Sequence, residues 1–285
     1  MYVCGQKNLL SKINHLIEED RFPRFSIIVG DTGYGKKVIC DYIAKQLGAL
    51  FIPCELKVDD VRQVIEDSYT VTEKSLYMFA DCDNMSVNSK NALLKVTEEP
   101  PNNSYFVMTV RDINNLLNTL ISRGTVFNVE PYTKLDIQDY IQYRNYSFTK
   151  DVSDIITDIC VCPQDVITAN SINIKDIYEL ADKFIQFIGS ANLGNELKIS
   201  TLLSTKKDDE KIDPVIFLRC VMLKCDNYLI NDLSSLNTET IKKLHNIIKV
   251  TSIYQSEINK KGSNKQMLLD NWIVSTHMAI TGGEF

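Results

Sequence analysis

Histidine, tryptophan and clustered cysteine are what this 285-residue chain lacks: it has three histidines, one tryptophan and eight cysteines. The histidines stand apart at positions 15, 245 and 277. The cysteines, at 4, 40, 54, 82, 160, 162, 220 and 225, form no CxxC pair. Only Cys160 and Cys162 are close together, so neither a zinc knuckle nor a disulfide framework is expected, and no metal site. The thiols read instead as buried side chains in a reducing compartment. Long apolar runs are also missing. No window reaches the roughly 18 apolar residues that a membrane helix needs, and the amphipathic N-terminal stretch has no signal-peptide core. The expected address is the cytoplasm, with no membrane partner. Basic residues are in deficit too, 31 Lys and Arg against 37 Asp and Glu, for a formal charge of −6. A dedicated DNA-binding domain usually carries the opposite balance, so any DNA contact should be local or made through partners. Internal repeats and low-complexity segments are absent.

What is present is an apolar content of 44% arranged in two regimes. Over the first 130 residues, short apolar runs alternate with helical patterns, as a parallel α/β sheet requires. Strands are expected at Phe25–Val29, Ala49–Ile52, Ser75–Ala80, Tyr105–Thr109 and Thr125–Val129. A helix carrying Leu9, Leu10, Ile13, Leu16 and Ile17 on one face precedes the first strand. Others are expected at Lys36–Leu47, stopped by Gly48, and near Val58–Asp67, Ser86–Glu98 and Asn114–Leu120. Asp59 and Ser86 stand as N-caps, and Pro100-Pro101 as a stop. Beyond Pro131 the pattern is helical, first in two short segments up to about Ile172. Longer helices then follow near Asn173–Ser190, Pro214–Ile230, Thr238–Asn259 and Asn264–Ala279. The charged stretch from Ser204 to Lys211 reads as a solvated loop.

Between the first strand and the next helix lies Gly30-Asp-Thr-Gly-Tyr-Gly35-Lys36-Lys37, a GxxxxGK match in the strand-to-helix context that gives the motif meaning. Glycines at 30, 33 and 35 let backbone N–H groups turn inward around phosphate, and Lys36 would reach its outer oxygens. The following position should supply a hydroxyl for Mg²⁺ but is Lys37. An ammonium about 4 Å from the metal position would be repelled by about 4 kcal/mol for each charge on the ion at an effective dielectric of 20. Lys37 could equally replace part of the metal's charge. Nucleotide without metal thus remains compatible with the loop, whereas hydrolysis depends on the ion that neutralises the transferred phosphoryl group.

Asn91-Ala-Leu-Leu-Lys95-Val-Thr-Glu98-Glu99-Pro100-Pro101 closely resembles the NALLKxxEEPP signature of the gamma/tau and delta-prime clamp-loader subunits of bacterial and phage DNA polymerase III, within the AAA+ family. Gly5-Gln6, Arg21-Phe-Pro23, Val61-Arg62 and Thr119-Leu-Ile-Ser122-Arg123 fall in family order. More weakly, Cys162–Ala169 occupies the place of a Gly-Ser-Pro-Gly-x-Ala turn, and Asn264–Trp272 resembles the closing helix of the collar. The resemblance implies an AAA+-like α/β P-loop domain with a parallel sheet over residues 1–130, a small helical lid over 131–172 and an all-α collar over 173–285. It implies gamma/tau and delta-type subunits as partners, with the sliding clamp and primed DNA reached indirectly.

Departures from the family fall on its catalytic parts. Lys37 replaces the Mg²⁺ hydroxyl. If Met85 aligns with the family's methionine, Ala80 replaces the metal Asp and Asp81 the catalytic Glu; shifted by one residue, Asp81 takes the metal position and Cys82 replaces the Glu. The lid arginine has no counterpart in Gln164–Val166, and the zinc knuckle is missing. These losses resemble the inactive delta-prime subunit, which leaves the degenerate loop either empty, with no required cofactor, or holding ATP or ADP with a weakened need for Mg²⁺. The resemblance gives Arg123, with Ser122, the role of completing a neighbour's ATP site in trans. Gly124 stands where the family has cysteine. Glu98 and Glu99, adjacent on a helix, do not face each other as a catalytic pair would and read as a helix end at a subunit contact. Lys95 suits nucleotide, protein or DNA phosphate as well as plain solvent. The alternatives are an active gamma/tau-type ATPase using Lys36 and Asp81 and, more remotely, a P-loop kinase.

Overall fold

A computed structural model describes residues 2–189, 193–194, 196–197, 213–231, 236–258 and 264–282. The stretch Ser204–Lys211 lies outside them. The chain divides into two compact units, one of residues 1–140 with 161–164 and the other of 141–160 with 165–285.

The first unit is a five-stranded sheet, parallel throughout. β1 spans Phe25–Val29, β2 Leu50–Cys54, β3 Ser75–Phe79, β4 Ser104–Val110 and β5 Thr125–Asn128, in the spatial order β2-β3-β4-β1-β5. Every residue of β3 and β4 is buried, which is why these strands read as continuous apolar runs. Side chains still alternate between faces. Leu76 and Met78 join Ile28 in a cluster with Ile13 and Ile43, from α1 (Lys7–Glu18) and α2 (Lys36–Leu47). Tyr77 and Phe79 join Ile27 and the opposite cluster with Val61, Leu93 and Leu120, from α3 (Val58–Ser68), α4 (Val87–Glu98) and α5 (Asn118–Ile121).

Two local expectations need correction. α3 begins after Lys57, and no side chain caps it; Asp59 sits in its first turn, where a carboxylate favours the positive end of the helix dipole. The single helix expected at Asn114–Leu120 is a 3-10 turn at Ile113–Asn115 followed by α5. Leu116 is extended between them, and Asp112 accepts from the Asn114 N–H at 2.9 Å. The apolar spacing of Leu116, Leu117, Leu120 and Ile121 imitates a helix although that cap closes the turn early. Ser86 does cap α4, accepting from the Ser89 N–H at 3.0 Å.

Beyond Pro131, three short helices, not two, precede the long ones: Lys134–Tyr143, Lys150–Ile159 and Pro163–Asn170. The second unit is helical, with long helices at Ile174–Phe187, Pro214–Asn231, Thr238–Ile258 and Lys265–Thr281. Its core is an aromatic trio. Trp272 stacks on Phe184 at 4.5 Å between ring centres and meets Phe217 edge-on at 5.9 Å. Arg219 ties the short helices to the long Pro214–Asn231 helix by pairing with Asp165 and donating to the Ile159 carbonyl at 3.2 Å. Among the described residues, no helix is long and apolar enough to cross a membrane.

Candidate functional site

The phosphate loop leaves the C-terminal end of β1 and enters α2. Gly33 and Gly35 both have positive φ, 84° and 71°, a conformation that L side chains avoid. A Cβ on Gly33 would also lie 2.8 Å from both Cys162 Sγ and Gln164 Cβ, so the Val161–Gln164 segment rests directly on the loop. Gly30 has a different constraint: its Cβ would come within 2.9 Å of Val129 Cβ, directly after β5. On the other side, Tyr132 donates to the Tyr34 carbonyl at 2.9 Å and meets that ring edge-on at 5.4 Å.

Lys36 is buried, and its ammonium donates to the loop's own carbonyls, Gly30 at 2.6 Å and Asp31 at 2.9 Å. Burial lowers its pKa from the ordinary lysine value, and the field of Asp81, Asp83 and Asp31 opposes that shift. Lys37, the next residue, is exposed. Asp81 is also exposed, in the left-handed region at φ 51°, and its N–H donates to Thr109 Oγ1 at 3.1 Å. Ala80 packs its methyl against the core beside α2. The glycine geometry is that of a phosphate loop, but Lys37, with its side chain exposed, brings no hydroxyl for Mg²⁺, and in the alignment through Met85 the Ala80 methyl stands in place of a carboxylate. Among the described residues, no group of three or more His, Cys, Asp or Glu is placed to hold a metal.

Sequence reasoning missed two residues beside the loop. Arg111, at the end of β4, brings Nε to 3.8 Å from Asp31 Oδ1. Asp83 accepts from the N–H groups of Arg111 at 2.8 Å and Asp112 at 3.1 Å, and from the Asn115 amide at 3.1 Å. Burial alone would push its pKa up, but these donors outweigh burial and hold it below the ordinary carboxylate value of 3.8. The stability that Asp83 contributes is therefore present above that value and is lost as pH falls through the lower folded one. Asp83→Ala should cost about 1–2 kcal/mol at neutral pH, a figure reduced for solvent screening. Urea denaturation at pH 7 and pH 3 tests this: the gap between wild type and variant should shrink at pH 3.

Arg123 lies at the other end of the sheet. Thr125 pairs with Ser26 near the start of β1, whereas the phosphate loop follows Val29. β1 is ~16 Å long at about 3.3 Å per residue. Arg123 is exposed; its Nη1 donates to the Thr119 carbonyl at 2.6 Å and its Nη2 to Glu98 Oε1. Ser122 is turned back to the same carbonyl at 3.1 Å. A Cβ on Gly124 would approach Ile27 Cδ1 to 2.8 Å and Phe25 Cε1 to 3.0 Å, so a larger residue there would make these β1 side chains shift. Lys95 and Glu99 are exposed on α4 and just after it, while the structure pairs Glu98 with Arg123. No spacing rule links the end of α4 to a residue 25 positions on, just past α5, so this pair was not legible beforehand.

The profile of the family described as "DNA polymerase III, delta subunit" matches residues 51–133. The chain is 26% identical over 172 residues to the DNA polymerase III subunit gamma of Buchnera aphidicola subsp. Acyrthosiphon pisum, covering 50% of this chain and 48% of that protein. It is 25% identical over 173 residues to the DNA polymerase III subunit delta' of Bacillus subtilis, covering 50% and 53%. The match thus spans about half the length of these curated relatives. In fold, it resembles a DNA polymerase III gamma subunit-related protein of Thermotoga maritima, with a TM-score of 0.52 at 13% identity, covering 95% of this chain and 99% of that one. The motif between Asn91 and Pro101 and these relatives point the same way: in sequence the chain is similar to the gamma, tau and delta-prime subunits of DNA polymerase III, and in fold to a gamma subunit-related protein.

Proposed function

We propose that the chain is a clamp-loader subunit of the delta-prime type, which assembles with gamma/tau and delta-type subunits to load the sliding clamp on primed DNA without hydrolysing ATP itself. The observation that carries this reading is the division of function across the sheet. At one end a phosphate loop lacks the donors for Mg²⁺. At the other, beside the start of β1, lies an exposed arginine paired with Glu98. From that position the guanidinium suits a nucleotide held by another subunit, where a fixed planar fork can bind the γ-phosphate and stabilise charge as the phosphoryl group transfers. Residues 131–172 act as the lid and 173–285 as the collar that joins the ring.

A second reading, an active gamma/tau-type ATPase, is favoured by the similarity to gamma subunits and by the intact, buried Lys36. Steady-state ATP hydrolysis, with clamp and primed DNA present, separates the two. The chain alone should be silent, and its addition to the host's ATP-hydrolysing subunits should raise their turnover severalfold. Mg²⁺-dependent hydrolysis by the isolated chain, abolished by Lys36→Ala, would establish the second reading instead.

A further inference from the structure

The ion pair between Arg123 and Glu98 has no need to exist for the sake of the fold. Glu98 is the last residue of α4, where the helix dipole presents its negative end and disfavours a carboxylate. An exposed ion pair typically contributes only about 0.2–1 kcal/mol. Here both side chains are partly exposed, at 32% for Arg123 and 52% for Glu98. Yet the base of Glu98 is rigid: Val96 and Thr97 beside it are buried, and Thr97 Oγ1 donates to the Leu94 carbonyl at 2.8 Å. The arginine is thus gripped from two elements, by Glu98 on α4 and by the Thr119 carbonyl on α5.

We infer that Glu98 is a positioning residue for Arg123. It fixes the azimuth of the guanidinium at the subunit surface, so that the fork meets a neighbour's nucleotide already oriented. The inference rests on the in-trans reading of Arg123. Two observations carry it beyond a surface salt bridge. First, the grip uses only one N–H of Nη1 and one of Nη2, so the Nε–H and the remaining Nη hydrogens stay available for phosphate oxygens. Second, a long flexible arginine loses rotamer entropy when it binds, and a partner that has already ordered it removes part of that cost from the reactive encounter. Glu98 touches no reacting atom; it acts through Arg123.

The test compares reconstituted complexes of this chain with its ATP-hydrolysing partner subunits, measuring kcat, KM for ATP and the melting temperature of each variant chain. Arg123→Ala should give the largest fall in kcat. Glu98→Ala should lower kcat by about 10- to 100-fold at the site served, the upper figure being the cost that a misplacement of about 1 Å can carry. KM and melting temperature should stay close to wild type. Glu98→Asp, which keeps the charge on a shorter arm, should recover part of the loss. If Arg123→Ala lowers kcat but Glu98→Ala does not, the positioning role is wrong and the in-trans reading stands. If Glu98→Ala raises kcat, the carboxylate competes with the phosphate and the inference is overturned. If Arg123→Ala itself has no effect, the underlying reading fails.

Discussion

Trp272→Ala should destabilise the helical unit by about 3–5 kcal/mol, the range for removing a large aromatic from a packed core. Trp272 is fully buried, stacked on Phe184 at 4.5 Å and set edge-on to Phe217 at 5.9 Å. These three rings come from the helices Ile174–Phe187, Pro214–Asn231 and Lys265–Thr281, so deleting one opens a cavity at the point where three helices converge. A polar loss adds to the apolar one: the indole N–H donates to Thr251 Oγ1 at 3.0 Å, and Thr251 is itself fully buried on a fourth helix. Trp272→Phe should cost clearly less, because a ring remains against Phe184. Urea denaturation of the full chain followed by circular dichroism measures both variants. A loss under about 1 kcal/mol for Trp272→Ala would mean that the aromatic trio does not anchor this unit.

Gln6→Ala should cost the α/β unit about 2–3 kcal/mol, through the two backbone groups it leaves unpaired. The Gln6 amide donates to the Glu130 carbonyl at 2.7 Å and accepts from the Glu130 N–H at 2.8 Å, satisfying both backbone groups of one residue in the manner of a strand partner. It does so from a left-handed backbone, φ 58°, following Gly5 at φ 55°. A Cβ on Gly5 would approach the Asp136 carboxylate to 3.0 Å and Tyr132 to 3.3 Å, which explains glycine before glutamine in that pair. Gln6→Glu keeps the acceptor for the Glu130 N–H but aims a carboxylate at a carbonyl, so it should not rescue the loss. Thermal denaturation gives the size of the effect, and hydrogen exchange its place: protection should fall at residues 2–6 and 128–132 before the centre of the sheet opens. Unchanged exchange at those residues would show that the amide clamp contributes nothing.

The sequence alone was enough for the features that are set by neighbours in the chain. β1 and α2 have the bounds that their apolar runs and glycines indicate, because strand period, Gly48 and the glycine-lysine loop act within a few residues. The cap at Ser86 is local in the same sense. Even the errors were local: Leu116 to Ile121 carries a helical spacing that the Asp112 cap interrupts, and Asp59 has the chemistry of a cap two residues too late. The identities of Lys37 and Ala80, on which the expectation of weak Mg²⁺ binding rests, also needed no fold.

What only the tertiary structure decided concerns partners far apart in sequence. The order β2-β3-β4-β1-β5 puts Arg123 and the phosphate loop at opposite ends of the sheet. It brings Asp83 under the backbone of Arg111 and Asp112 and sets Gln164 on Gly33. It also closes Gln6 on Glu130 across 124 residues and Glu98 on Arg123 across 25. Propensity and periodicity describe a residue's own element, and no local energy distinguishes one distant carboxylate from another. Glu98 and Glu99 are alike in sequence, and what separates them is the direction each side chain takes from the end of α4: one meets a guanidinium and the other meets solvent.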